Sequence, residues 1–567
     1  MIQKRLFYLL ILIVSAISLS ADIDIPIDNR IYNDLPLFIK SGENYGFDPW
    51  LRPCSKKNIT ILLEKAVSDS TSPWRFLAEE YLKLFKPLAS FTFSKNSDTF
   101  TVYPQVILSA AVQDSHFNTL GIVTAVPGSD TGNIRLDSTG SNKEFRSLIH
   151  TGLAAEGSVG RLSLYFKGGI NTHYASLESW KKTNDPQRGI MLSNIFEKQD
   201  VPGHLWGDED FIGYANIHTS VADFKLGRDI VKWGRSDKLN LMLSGNAVPF
   251  IHMRATKNIG PVDFQFVTGR ITADSHDDVR YMYAKHISWR PGKGITLGFN
   301  DQVITINRTL DPYYFIPVLP FYFAEHFTGD LDNRLMGFDA AYDGSYFSFY
   351  TEFLMDDMRN LAGVFNDSDV SNKWSILAGI RMNKSPCPKY LSTAVLEYSQ
   401  VEPWVYTSSA RAHYDTIWYM DTVTNNARFY KKEIFNYPVH YGRLLGNPLG
   451  PNSRSLLFKA SGRPNVNISY SLGAEMVWKG SGSGSAVTDM NPMIPDSTAE
   501  SGSSYRFQDK SKIRFSNLAL QRTIISAESS IRLARWNEIS LKFIYMRENA
   551  LNPGDYVQVM IKNSINF

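Results

Sequence analysis

The sequence predicts an all-β fold: a transmembrane antiparallel β-barrel that follows a small N-terminal periplasmic helical bundle. Three observations predict it. The final segment alternates apolar and polar residues up to the aromatic Phe567, the opening residues read as an export signal, and no apolar run after that signal is long enough for a spanning helix. A bilayer core admits only structures that satisfy their own backbone hydrogen bonds, so an exported chain without such a helix can still cross a bilayer, as a closed barrel.

The elements follow in order. Lys4 and Arg5 precede an apolar stretch, Leu6 to Ile17, and the small residues Ser18, Ser20 and Ala21 follow it. This pattern marks residues 1–21 as a signal peptide cut after Ser20 or Ala21, and it is too short for a membrane span. Residues 22–90 read as a helical unit. Ile31, Leu35, Phe38 and Ile39 recur at helical spacing, and Ser55 is placed to cap a helix carrying Ile59, Leu62, Leu63 and Ala66. Ser72 and Pro73 open another helix, whose stripe is Phe76, Leu77, Tyr81, Leu84 and Phe85, before Pro87 stops it. A unit this small buries little core alone, so it is expected to pack on the periplasmic mouth of the barrel.

From residue 91 to 567 the period becomes two. Leu162, Leu164, Phe166 and Ile170 alternate with Ser163, Lys167, Asn171 and His173. Val466, Ile468, Tyr470, Leu472, Ala474, Met476 and Trp478 share one face of a long strand, and Val557, Val559, Ile561, Ile565 and Phe567 share one face of the last. In a barrel the apolar face meets lipid and the polar face the lumen. Asp343-Gly344 is a two-residue turn signal. That turn sets Ala340 against Phe347 and Phe338 against Phe349 on the apolar face, with Asp339 against Ser348 and Gly337 against Tyr350 on the polar one. Trp374 to Met382 returns as a strand, and Lys384 to Lys389 is a second short turn. Long polar stretches at about 121–142, 406–455 and 479–504 are expected as extracellular loops.

Composition supports this class: 13% of residues are aromatic, with 28 Tyr, 34 Phe and 38 Gly. The 59 basic and 56 acidic residues nearly balance and form no basic tract, which argues against nucleic acid as a partner. The chain has no Gly-x-Ser-x-Gly elbow, no phosphate-binding Walker loop and no His-Glu-x-x-His, so no enzyme activity, catalytic residue, metal ligand or cofactor is assigned. Gly292-Lys293-Gly294 reads as a turn, and the acidic runs Asp208-Glu209-Asp210 and Asp356-Asp357 as solvated loop residues. Two readings of the two cysteines stay open: a disulfide between Cys54 and Cys387, both placed at the periplasmic side, or two unpaired thiols.

Two segments carry a likeness. One is Gly227-Arg228-Asp229-Ile230-Val231-Lys232-Trp233-Gly234-Arg235 with Leu243-Ser244-Gly245-Asn246-Ala247-Val248-Pro249. The other is Pro312-Tyr313-Tyr314-Phe315, then Asp332-Asn333-Arg334-Leu335-Met336-Gly337-Phe338-Asp339, then Tyr350-Thr351-Glu352-Phe353. With Asn33-Asp34-Leu35, Arg52-Pro53 and Gly442-Arg443-Leu444-Leu445-Gly446-Asn447-Pro448-Leu449-Gly450, they resemble the Wzi family of capsule-assembly proteins. The resemblance implies roughly 18 strands, within the range open to outer-membrane barrels. It also implies a monomeric outer-membrane lectin that tethers capsular polysaccharide without catalysis. The alternative is a porin or solute channel, since a large barrel without a plug leaves an aqueous lumen. Outer-membrane lipid and the barrel-assembly machinery, the latter reading Phe567, complete the expected partners.

A polysaccharide presents dense hydroxyls and apolar ring faces, so its site needs planar hydrogen-bonding groups and aromatic platforms, and arginine suits an acidic glycan. The candidates are Arg228, Asp229, Trp233 and Arg235; Asp332, Asn333 and Arg334; and Arg411, Tyr414, Trp418 and Tyr419 in the long late loop. The competing reading for Arg228, Asp229 and Glu352 is a luminal network that rigidifies the barrel.

Overall fold

The computed structural model describes residues 22–40, 43, 45–85, 91–95, 98–114, 143–176, 196–198, 204–272, 279–306, 309–316, 319–328, 332–356, 373–407, 413–421, 426–434, 438–440, 443–480, 493–495, 505–507, 518–534, 536–549 and 553–566. The signal segment and Phe567 lie outside these residues.

Eighteen antiparallel strands close a ring in chain order. They begin with β1 (Asp98–Asp114), β2 (Lys143–Val159), β3 (Leu162–Ala175), β4 (His204–His218), β5 (Asp223–Asp229) and β6 (Phe250–Ile259). Next come β7 (Val262–Ile271), β8 (Arg280–Gly292), β9 (Ile295–Ile306), β10 (Asn333–Asp343), β11 (Phe347–Met355) and β12 (Trp374–Met382). The ring ends with β13 (Thr393–Val401), β14 (Ser453–Gly462), β15 (Ile468–Gly480), β16 (Leu518–Ala534), β17 (Asn537–Glu548) and β18 (Gly554–Asn566), which pairs back onto β1.

The outward side chains are apolar around the ring: Leu164, Phe166, Ile251, Leu297, Phe349, Phe458, Leu472, Ile525, Phe543 and Ile561 are all exposed. That band on a closed sheet is the lipid face of a membrane barrel. It also matches the period-two reading of β3, β15 and β18. Gly292-Lys293-Gly294 is the β8–β9 turn, with φ of 103°, 54° and 79°.

The β10–β11 hairpin departs from expectation in register. Tyr342 faces Phe349, Asp343 faces Ser348 and Phe338 faces Phe353. Asp343 is thus the last paired residue, and neither it nor Gly344 takes the positive φ that a type I′ turn requires. The loop is longer and each partner moves by four positions. An even shift keeps every side chain on its face, so Phe338, Phe347 and Phe349 still point outward and Ser348 and Tyr350 still point inward, buried.

At the end of the barrel carrying the short turns sits the helical unit: α1 (Ile31–Asp34) with the 3-10 turn Leu35–Leu37, α2 (Lys56–Ser68) and α3 (Arg75–Leu84). Ser55 caps α2, its hydroxyl accepting from the Asn58 amide at 3.2 Å. α3 starts two residues later than expected, at Arg75, because the Ser72 hydroxyl accepts from the Trp74 amide and holds a turn there. Ile31, Leu35, Phe38, Ile59, Leu62, Leu63, Leu77 and Tyr81 form its core. It meets the barrel through ion pairs near the turns, Arg30 with Glu538 at 2.6 Å and Asp34 with Arg463. Cys54 and Cys387 are both free, Cys54 buried and Cys387 exposed on the β12–β13 turn. Burial pushes the Cys54 thiol up to about 12.

Candidate functional site

Three segments from the long-loop end fold back into the lumen. Residues 230–249 follow β5, residues 402–407 follow β13, and residues 443–452 precede β14. They meet the chain from the helical unit there. Leu51 pairs with Trp233 and Arg52 with Lys232 as a small antiparallel ladder, and the Gly234 amide donates to the Trp50 carbonyl at 3.2 Å. The Ser244 amide donates to the Leu445 carbonyl at 2.8 Å, and the Tyr406 hydroxyl to the Leu241 carbonyl at 2.6 Å. Gly446 is required at this crossing, since a Cβ there would collide with the Leu241 carbonyl and the Tyr406 ring.

The packed segments turn half of the lumen into a hydrophobic core. Trp233, Leu239, Leu241, Leu243, Val405, Tyr406, Leu444 and Leu445 bury against the inward residues Val267, Ile271, Met282, Ala284, Ile304, Leu335, Leu354, Leu377 and Val401 of β7–β13. Wall carboxylates tie the segments down. Glu352 accepts from the Leu241 amide at 2.8 Å, and Glu397 accepts from the Ser236 and Tyr350 hydroxyls at 2.8 and 2.6 Å. Burial of Lys232 beside Arg52 drives its ammonium down to about 7.

Of the candidates from the first segment, Asp229, Trp233 and Arg235 belong to this frame, whereas Arg228 follows Leu226 at every second residue and pairs with Ile251 on the outward face. Arg228 donates to the Phe211 carbonyl and lies 4.4 Å from the Phe211 ring centroid. Asp229 joins Lys225, which also holds Asp24 at 2.9 Å, while Arg254 bonds Asp24 and the Pro53 carbonyl. Burial alone would raise the Asp24 carboxyl, but Arg254 and Lys225 hold it below its ordinary value. Trp233 is buried and donates to Gln265. Arg235 grips Asp343 with both terminal nitrogens, at 2.7 and 3.0 Å, and its guanidinium sits 5.0 Å from the Trp50 ring, which Arg52 and Arg381 also approach.

Asp332, Asn333 and Arg334 are not brought together with that group. Arg334 points away from the lumen, onto Asp301 at 3.0 Å, while Asp332 accepts from Tyr314 at 2.7 Å. Adjacent residues on a strand face opposite ways, so a run of polar letters cannot form one site there. Asp356 is buried rather than solvated, Glu209 and Asp210 are exposed, and Asp357 and Arg411 lie outside the described residues. Tyr414, Trp418 and Tyr419 fall on the strand His413–Asp421, which pairs with Asn426–Ile434 in a hairpin separate from the barrel sheet.

Among the described residues the other half of the lumen is open. A cavity of about 620 Å³ lies between the folded-in segments and the inner wall of β14–β17, within the size range of ligand pockets. Charged groups line it in pairs: Lys459 with Asp237 at 2.7 Å, Lys238 with Glu475, and Glu528 facing Lys542 across the β16–β17 ladder. Leu457, Ile524, Ile544 and Met546 supply apolar surface between them. None of these residues stood out in sequence. Their signal was only scattered charges on the polar-facing positions of late strands, and it does not distinguish a cavity wall from a filled lumen. Among the described residues no cluster of His, Cys, Asp and Glu is arranged to hold a metal ion.

A family model described as capsule assembly protein Wzi matches residues 128–462, more than half of the chain. This chain belongs to the Wzi family. The Escherichia coli Wzi structure, described as a carbohydrate-binding β-barrel outer-membrane protein involved in group 1 capsule assembly, is similar over 96% of this chain and 99% of its own. Its TM-score is 0.54 at 12% identity, a likeness that shows the fold. Two further structures cover 82% of this chain and 98% of theirs at 8% identity: Acinetobacter baumannii OccAB2, with a TM-score of 0.41, and Pseudomonas aeruginosa OccK9, with 0.43. No curated protein sequence matches the chain.

Proposed function

We propose that this Wzi-family barrel is an outer-membrane, monomeric, non-catalytic lectin that holds surface polysaccharide, with a stretch of glycan lodged along the open half of its lumen. The observation that carries this reading is the division of the lumen. One half is sealed by a hydrophobic core, and the other keeps a cavity lined by paired charges and aliphatic side chains. Pre-paired carboxylates and ammonium groups offer acceptors and donors to sugar hydroxyls, and the aliphatic surface suits apolar ring faces. The hairpin His413–Ile434 with Tyr414, Trp418 and Tyr419 would be the outer contact, and Arg411 just before it a charge for an acidic glycan.

The test is retention of surface polysaccharide from the source cell on detergent-solubilised protein. Wild type is expected to retain it. Lys459→Ala and Glu528→Gln should retain less, and a hairpin deletion joining 412 to 435 should weaken retention further. No retention by wild type overturns the lectin reading. Retention unchanged in the luminal variants moves the site to the outer loops. The rival channel reading predicts steady large currents in planar bilayers, where the half-filled lumen leads us to expect none.

A further inference from the structure

One loop does the opposite of the three that enter the lumen. His286 on β8 and Asn300 on β9 meet inside the barrel at Asp339, 3.1 and 2.9 Å away. Their neighbours Lys285 and Asp301 therefore face outward, as does Arg334 on β10, between the inward Asn333 and Leu335. These three charges stand on the wall that carries the lipid-facing band, where a charge is destabilising and most so at the midplane. The ladder through Asp301 and Lys285 runs on to Phe224, which is exposed. Leu226 and Ile251 beyond it, and Phe338 and Phe349 on the other side, are exposed too.

The charges are covered. Lys285 and Arg334 both pair with Asp301, at 3.5 and 3.0 Å, and the Asp301 side chain is fully buried. The cover is the 3-10 turn Pro312–Phe315 and helix α4 (Phe321–Thr328). Asp301 accepts from the first amide of α4, Phe321, at 2.9 Å. Lys285 donates to the Leu319 carbonyl at 2.5 Å and lies 3.9 Å from the Phe321 ring centroid, and Arg334 lies 5.4 Å from the Tyr322 ring. Tyr314, Phe321 and Ala324 close over the outward Phe266, Tyr283 and Val303 as a separate buried cluster. On the far side of the cover, Tyr313, Ile316, Tyr322, Phe323 and Phe327 are exposed, Phe327 to 70%.

We propose that this turn and helix form a saddle embedded in the bilayer against the outer wall of β7–β10, its exposed aromatic side packing on lipid acyl chains and its inner side screening the Lys285–Asp301–Arg334 cluster from hydrocarbon. Continuity decides the occupant: the saddle's exposed face prolongs an apolar band whose partner is already lipid. The saddle keeps polar strand residues on the lipid side away from hydrocarbon, and it thickens one sector of the wall into a site that acyl chains must pack around.

The test places a single accessible thiol at Phe323→Cys or Phe327→Cys in a Cys387→Ser background, where the remaining Cys54 is buried, attaches bimane, and reconstitutes the protein in nanodiscs of phosphatidylcholine brominated on its acyl chains. Both labels are expected to be quenched by the brominated chains as strongly as a Phe349→Cys wall control, and weakly by aqueous iodide. The native Cys387 label, on an exposed turn, should show the reverse. Labels at 323 and 327 that follow the Cys387 pattern overturn the proposal. Protection from both quenchers together with cross-links between copies also overturns it and gives the face to a second copy. Adding Asp301→Asn to Phe327→Cys should raise iodide quenching while leaving the Phe349→Cys control unchanged, whereas no change at 327 overturns the role given to the buried cluster.

Discussion

The inner walls of β7–β13 and of β14–β17 belong to one sheet and obey one strand geometry, yet they face different media. The first wall turns Met282, Ala284, Ile304, Leu335, Leu354, Leu377 and Val401 into a packed core; the second turns Lys459, Glu475, Glu528 and Lys542 into a cavity. The comparison teaches that alternation in a barrel reports only the outer face. Lipid forces every outward residue it touches to be apolar, while the inward residue answers to whatever the loops deliver to it. Where residues 230–249, 402–407 and 443–452 are delivered, the wall turns many apolar residues inward as well, with Glu352, Glu397 and Gln265 set among them to bond the segments.

The sharpest break is a cavity made on each side. Leu377→Ala, at a fully buried position, should cost about 2–5 kcal/mol in unfolding from detergent micelles. Ile544→Ala, on the wall of the existing cavity, removes fewer contacts and should cost well under that, because little new void is created. Equal losses would show that the second half is filled in solution.

Within the packed half, ion pairing can be separated from hydrophobic burial. Asp24→Asn leaves Arg254 and Lys225 without their shared partner and should cost about 3 kcal/mol, the penalty of stranding buried charge. The Asp24 carboxyl is held below its ordinary value in the folded protein. Its contribution is therefore complete above the unfolded carboxylate pKa of about 4 and is lost as pH falls through the folded value. Limited pepsin digestion should show the N-terminal segment loosening in that acid window in wild type, and the variant should lack this pH dependence.

The smallest stability effect belongs to the open half. Lys459 and Asp237 are both partly exposed to the cavity, so Lys459→Ala should move stability by no more than about 1 kcal/mol while lowering glycan retention. A large loss of stability with retention intact would make that pair a structural tie, like Asp343 with Arg235.

Much of the fold was legible because its causes are local or are imposed by lipid. Ser55 caps α2 through its own hydroxyl, and Trp374–Met382 is a strand with the boundaries its pattern gave. Face assignments at 337–350 survived a wrong turn length because the error was even. The candidate site was far less legible. Arg228, Asp229, Trp233 and Arg235 lie within eight positions of one another, but their partners Phe211, Lys225, Gln265 and Asp343 come from four different strands.

The sequence by itself determined the barrel, its lipid face and its helical preface, since hydrocarbon tolerates no unpaired backbone and no bare charge, and those demands are written into every second residue. Only the tertiary structure decided which loops turn inward to fill one half of the lumen and which turns outward to cover Asp301. Both kinds mix apolar and polar residues; what separates them is the surface that closure of the ring sets opposite each, Leu377 for Trp233 and its neighbours, Lys285 and Asp301 for Phe321.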